Sequence, residues 1–305
     1  YIIFVVETLH LLPMPIVEYE EGKGFSYGAG ITYLNFRGLN EKLTVGGIGG
    51  EETTYFFNFI DPWVYGDHGS IKAEIYQFHS ESANYNYSYR KRAMLIGSGF
   101  FREKYHKFKS ELGYEIIKLN TTSIHSEGNT RKTYSDGDST YNYIRWMISY
   151  KYDTRDIYID PTHGESFKVK LIPKIGLNST SNRFNIELSY KKYIGLQNWI
   201  LDPVLSFKSK ILLKDRKDIP VFENVYLGGE DFVRGYSPVI QENPESVRNK
   251  VEGTQIIYQN IQLQHTCLKK HDYSGLEIGM DLVYFADFGI SSNSLGTFKL
   301  SNGII

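Results

Sequence analysis

Arg183–Lys191 reads RFNIELSYK. Phe184, Ile186, Leu188 and Tyr190 alternate with Asn185, Glu187, Ser189 and Lys191. A period of two residues lines one face of a strand, whereas a helix needs a period of 3.6. The polar half of this alternation carries full charges. A soluble sheet packs its inner face into a dry core, where unpaired charges are costly. An apolar face in lipid with a charged face on a wet lumen is the pattern of a membrane β-barrel.

The same period recurs along the chain. In Lys107–Lys118, Phe108, Leu112, Tyr114 and Ile116 oppose Lys107, Lys109, Glu111 and Glu115. Glu165–Leu171 alternates Phe167, Val169 and Leu171 with Ser166, Lys168 and Lys170. Gly275–Tyr284 alternates Leu276, Ile278, Met280, Leu282 and Tyr284 with Glu277, Gly279, Asp281 and Val283. Composition agrees: 25 Tyr, 18 Phe and 3 Trp in 305 residues, yet a mean hydropathy of −0.35. Aromatics near strand ends (Trp63, Tyr65, Tyr141, Tyr143, Tyr193, Trp199) read as interfacial girdles. No apolar run reaches the length of a membrane-spanning helix.

Several function classes fall away. A formal net charge of −1 offers no footprint for nucleic acid. The single cysteine, Cys267, excludes an internal disulfide and a cysteine metal cluster, and is expected as a small buried apolar residue. The histidines show no metal-ligand spacing. No serine, histidine and acid arrangement suggests a hydrolase, so neither enzyme, metal nor cofactor is expected.

Period and turn signals together predict about thirteen strands. The first covers about Pro15–Glu21. Then follow Phe25–Phe36, Glu41–Gly49, Thr53–Ile60, Ser70–His79, Arg92–Phe101, Lys107–Leu119, Tyr141–Tyr152, Glu165–Ile175, Phe184–Ile194, Ile200–Leu213, Thr254–Leu268 and Ser274–Phe288. A fragment starts near Thr297. Asn120–Thr140 and Lys214–Gly253 are long, polar connections, and parity puts both at the cell-surface end.

Three motifs stand out. GGEDFVRGYSP spans Gly228–Pro238 and holds Gly228, Gly229, Val233, Arg234, Gly235 and Tyr236. YDTRDIYIDPTHGESF spans Tyr152–Phe167, with Asp153, Arg155, Asp156, Pro161 and Gly164 at a turn. VYFADFG spans Val283–Gly289, with Phe285 and Asp287. In this order and spacing they resemble the BamA-type outer-membrane assembly-factor family, the surface-antigen barrels. That family carries a VRG[FY] loop between the eleventh and twelfth strands, a D-x-R-D…P-x-x-G turn between the eighth and ninth, and F-x-D on the thirteenth.

The resemblance implies a transmembrane antiparallel β-barrel of about sixteen strands in the complete protein. It makes residues 1–12 the end of a periplasmic POTRA-like domain and its linker. Residues 13–305 become the barrel, truncated near the fourteenth strand. It implies integral outer-membrane location, and as partners outer-membrane lipid, unfolded β-barrel clients and periplasmic chaperones or accessory lipoproteins. The loop is expected to fold into the lumen with Arg234 on an acid of the thirteenth strand. Glu277, Asp281 and Asp287 share the right face, and Asp287 matches the F-x-D position. Where the family bears an inward glutamate, Gln262 stands here. The implied work is insertion or translocation of barrel proteins through a seam beside the first strand, whose Glu18, Glu20 and Glu21 form strands poorly. The alternative is an anchor or export port for a fused patatin-like lipase or a secreted substrate.

Overall fold

The structure is a computed structural model. It describes residues 10–20, 24–50, 52–121, 137–196, 202–214, 220–242, 245, 251–273 and 276–292. The strands are β1 (Leu11–Glu20), β2 (Gly24–Phe36), β3 (Glu41–Gly50), β4 (Glu52–Asp61), β5 (Val64–Asp67), β6 (Gly69–Glu81), β7 (Tyr87–Arg102) and β8 (His106–Thr121). There follow β9 (Ser139–Asp153), β10 (Gly164–Leu177), β11 (Arg183–Gly195), β12 (Val204–Lys214), β13 (Val225–Tyr226), β14 (Glu252–Gly253), β15 (Gln255–Tyr273) and β16 (Leu276–Ser292).

Thirteen strands form one sheet in the order β1-β2-β3-β4-β6-β7-β8-β9-β10-β11-β12-β15-β16. Its neighbours are sequential, as antiparallel hairpins dictate. These are the thirteen strands that the alternation predicts; β5 and the β13–β14 pair add three short ones. β1 begins at Leu11, ahead of the expected Pro15. Residues 1–9 and 293–305 lie outside the described residues, as do Glu21 and the strand fragment. Of the segment 1–12 expected as a POTRA-like end and linker, only residues 10–12 are described, and Leu11 and Leu12 belong to β1.

The two faces of the strands differ as the alternation demands. On β8, Phe108, Leu112 and Tyr114 are exposed, while Glu115, Ile117 and Leu119 are buried. On β7, Met94 and Ile96 are exposed and Ala93 and Leu95 buried. Exposed large apolar side chains therefore form a regular face on strand after strand, as a lipid-contacting sheet requires.

Two girdle assignments are corrected. Tyr143 is fully buried on the polar face, with the Lys174 ammonium 5.3 Å from its ring centre. Tyr193 turns toward Arg155 on that face. Trp199 lies outside the described residues. Tyrosine serves either face because its ring is apolar and its hydroxyl polar. Cys267 is also corrected, since it is exposed. It sits where the β15–β16 register slips between Thr266 and Leu268, an extra residue with no cross-strand partner.

The chain divides into two compact units. The first is Tyr1–Arg102, Phe108–Ile148 and Pro173–Arg183; the second is Glu103–Lys107, Ser149–Ile172 and Phe184–Ile305. In the first, Glu115 is fully buried between two lysines, Lys91 at 2.9 Å and Lys174 at 3.1 Å. A buried carboxylate persists only with such partners. In the second, the apolar residues Leu212, Leu227, Phe232, Val233, Ile256 and Tyr258 make a cluster that the long loop shares with β12 and β15.

Candidate functional site

The loop between β12 and β15 is built to present one arginine. Val225–Tyr226 pairs with Glu252–Gly253, which closes the loop at its base. The Leu227 amide donates to the Val251 carbonyl at 2.7 Å and the Val233 amide to the Leu227 carbonyl at 2.8 Å. Gly228 bridges to Val233, and the Gly229 amide donates to the Tyr236 carbonyl at 2.7 Å. Gly235 takes φ +92° with open space around it, so it is there for the turn and not for room. Phe232 meets Tyr258 edge-on at 5.7 Å, and Tyr236 packs against the same cluster.

That turn fixes Arg234 over β16. Its Nε donates to Asp287 Oδ2 at 2.9 Å, its Nη2 to Oδ1 at 3.1 Å, and its backbone amide to Oδ2 at 3.1 Å. The guanidinium also lies 3.5 Å from the Phe285 ring centre. A planar fork suits both contacts at once, which an ammonium cannot do. Asp287 further accepts from Tyr258 Oη at 3.1 Å and Asn260 Nδ2 at 2.7 Å. The Asp287 side chain is 3 % exposed and that of Arg234 30 %. The bond that Arg234 donates to Asp287 raises the Arg234 pKa above its ordinary value. Gly289 completes the seat: a side chain there would press on Val233 and Leu227.

Of the acids on this face, only Asp287 reaches the loop arginine among the described contacts. Asp281 instead accepts from Gln264 at 3.0 Å, and Gln264 also donates to Asp160 at 3.2 Å. The Glu277 side chain lies outside the described ones. Gln262 stands opposite Phe285 in register, and it is Asn260, two residues earlier, that touches the carboxylate. Tyr258, Asn260 and Gly289 are the members that sequence reasoning misses. Alternation does place Tyr258 and Asn260 on the face of Gln262, and that signal narrows the choice without making it.

The second motif forms a separate, self-contained turn. Asp153 takes a fork from Arg155 at 2.8 and 3.0 Å, and Lys151 at 2.6 Å. Asp156 accepts from Thr162 Oγ1 at 2.6 Å and from the amides of Ile157, Thr162 and His163. Partial burial pushes its pKa up, but these donors outweigh that and hold it at about 2. Pro161 lies within this wrap, and Gly164 opens β10. The Tyr158 ring is stacked by Lys107, Lys151 and Arg155 at 4.8–4.9 Å. Nothing in the turn resembles a reaction centre. Among the described residues, no group of acids, histidines or cysteines is arranged to hold a metal ion.

Known proteins are similar to this chain in sequence and fold. The profile described as the Omp85 superfamily domain matches residues 35–303. A stretch of 91 residues, 29% of the chain, is 33% identical to the outer membrane protein assembly factor BamA of Nitratidesulfovibrio vulgaris and covers 10% of that protein. The crystal structure of Haemophilus ducreyi BamA lacking POTRA domains 1–3 superposes with a TM-score of 0.72 at 18% identity, covering 93% of this chain and 58% of that one. CdiB from Escherichia coli gives 0.60 at 11% identity, covering 93% and 53%. The chain thus spans little more than half of these solved relatives and a tenth of the curated one.

Proposed function

The chain belongs to the Omp85 superfamily, whose members are integral outer-membrane β-barrel proteins, and on that premise we propose that it inserts or translocates β-barrel clients with its long loop held in the lumen by Arg234. The observation that carries this reading is the saturated Asp287 carboxylate under the loop. A loop pinned inside the wall obstructs a wide passive pore. A machine that moves chains beside its wall gains a fixed inner surface.

The first strand supports the same reading. The Leu34 amide donates to the His10 carbonyl at 2.7 Å. Bonded positions alternate along an antiparallel pair, so even-numbered residues of β1 bond to β2 and odd ones face its other edge. Pro13 and Pro15 are odd, and each removes a donor from that edge. An edge short of donors pairs weakly with its neighbour and exchanges readily for a client strand. The work is strand pairing rather than covalent chemistry. Its partners are unfolded β-barrel clients and outer-membrane lipid, with chaperones or accessory lipoproteins delivering the clients.

The test is client insertion by the intact protein in liposomes. Arg234→Ala should slow insertion by roughly tenfold or more, the equivalent of about 1.4 kcal/mol, while the barrel keeps its heat-modifiable gel mobility. Arg234→Lys should fall between. An unchanged rate with a freed loop removes the loop from the mechanism.

A further inference from the structure

Four side chains of one face stand in a row across neighbouring strands. Lys191 of β11 is in register with Lys208 of β12, Lys208 with Asn260 of β15, and Asn260 with Asp287 of β16. Directly opposed residues share a face, and like charges so placed destabilise a sheet. Neither of the other two members pairs with a lysine. Asn260 is neutral, and Asp287 is occupied by Arg234. Among the described residues neither Lys191 nor Lys208 has an ion-pair partner, and the loop acid Asp231 acts on Lys191 only from longer range.

The cationic wall continues into a cavity of about 320 Å3, lined among others by Lys151, Arg155, Lys168, Lys170, Lys191 and Lys210. The acid on that lining is Glu187, and Lys170 holds it at 2.5 Å. Asp153 nearby is shared by Lys151 and Arg155. Positive charge therefore exceeds negative charge throughout the cavity. Ser166 and Ser189 add neutral donors to the same lining.

We propose that this cavity binds a multiply charged oxyanion, a ligand carrying two phosphate groups. Ammonium and guanidinium donors on adjacent strands, about 4.8 Å apart, can each take a separate phosphate oxygen with charge-assisted bonds. The volume lies at the lower end of the roughly 300–1,000 Å3 of small-molecule sites. It fits a compact charged head better than a run of acidic peptide. The ligand is the missing counter-charge for Lys191, the member of the Lys191–Lys208 pair that lines the cavity. The inference is independent of client insertion.

The test uses the intact protein in detergent micelles at low salt, with inorganic pyrophosphate as the probe in isothermal titration. Wild type should bind saturably. Lys191→Gln should weaken binding by roughly tenfold or more, and Lys191→Arg should keep it. Without ligand the glutamine variant should melt no lower than wild type, since it loses a repulsion. Pyrophosphate should raise the melting point of wild type and not of that variant. A bisphosphorylated lipid in mixed micelles separates the two sources: displacement of pyrophosphate assigns a lipid headgroup, and no displacement assigns a soluble anion. No saturable binding, or equal binding by the glutamine variant, overturns the site. Binding of a glutamate heptapeptide without binding of pyrophosphate overturns the ligand class.

Discussion

Asn260 stands in register with Asp287 and donates from Nδ2 to Oδ1 at 2.7 Å. The amide is fully buried. It therefore supplies the carboxylate with a neutral donor where a second acid would repel it.

Replacing Asn260 by Ala should loosen the loop without unfolding the sheet. A hydrogen bond to a charged group contributes about 1.5–3 kcal/mol. This one links two strands of the wall and orients the carboxylate that Arg234 grips, so only part of its loss reaches the loop. Limited proteolysis between Phe232 and Tyr236 reads it directly. Cleavage as slow as in wild type would mean that the remaining donors suffice.

Glu115 should be far less replaceable. It is fully buried and meets both Lys91 and Lys174. Glu115→Ala leaves two cations facing each other, and breaking a buried pair costs about 3–5 kcal/mol. Urea unfolding in micelles should show a large loss, with Glu115→Gln in between. A loss within the error of the measurement would show that water reaches the two lysines.

Ile96 is 68% exposed. On a water-soluble sheet, arginine there would be tolerated. On a lipid face, Ile96→Arg should cost up to about 2–4 kcal/mol, with the full cost at the bilayer midplane. The fraction of folded barrel, read by heat-modifiable gel mobility, should fall. Wild-type assembly would reverse the assignment of faces.

These cases show where the sequence is legible. Strands such as β8 and β11 are visible because every one has an apolar and a charged face, and period two survives any local propensity. Arg234 and Asp287 are visible as a loop cation and an acid on the correct face. Register is not visible. Asp281 and Asp287 share a face, but the β15–β16 pairing gives one to Gln264 and the other to the loop. Asn260 and Gln262 differ in the same way. The buried Tyr143 escapes because tyrosine suits lipid interface and polar interior alike. Cys267 escapes because a bulge breaks the period on which the reading depends.

Asp156 makes the β9–β10 turn sensitive to acid. Its folded pKa of about 2 lies below that of an unfolded aspartate, about 3.9. The stabilisation is thus fully present above pH about 4 and is lost as pH falls through about 2. Hydrogen exchange at the Thr162 and His163 amides, corrected for intrinsic rate, should show constant protection from neutral pH to about 5 and a decline below about 4. Asp156→Asn should abolish that dependence. Protection that declines equally in the variant would assign the effect to another group.

The most direct measurement is a charge-swap cycle on Arg234 and Asp287 in the intact protein, read by protease protection of the loop. Each single reversal, Arg234→Asp or Asp287→Arg, should expose the loop. The cost approaches about 3–5 kcal/mol for a fully buried pair, and less here because the arginine side chain is 30% exposed. The double reversal should recover part of the protection, since the opposed charges are restored in a shell whose Tyr258 and Asn260 donors suit a carboxylate better than a guanidinium. Recovery beyond the sum of the single effects is the expected result. Strict additivity, with the double variant as exposed as the two singles together, would contradict a loop anchored by this pair.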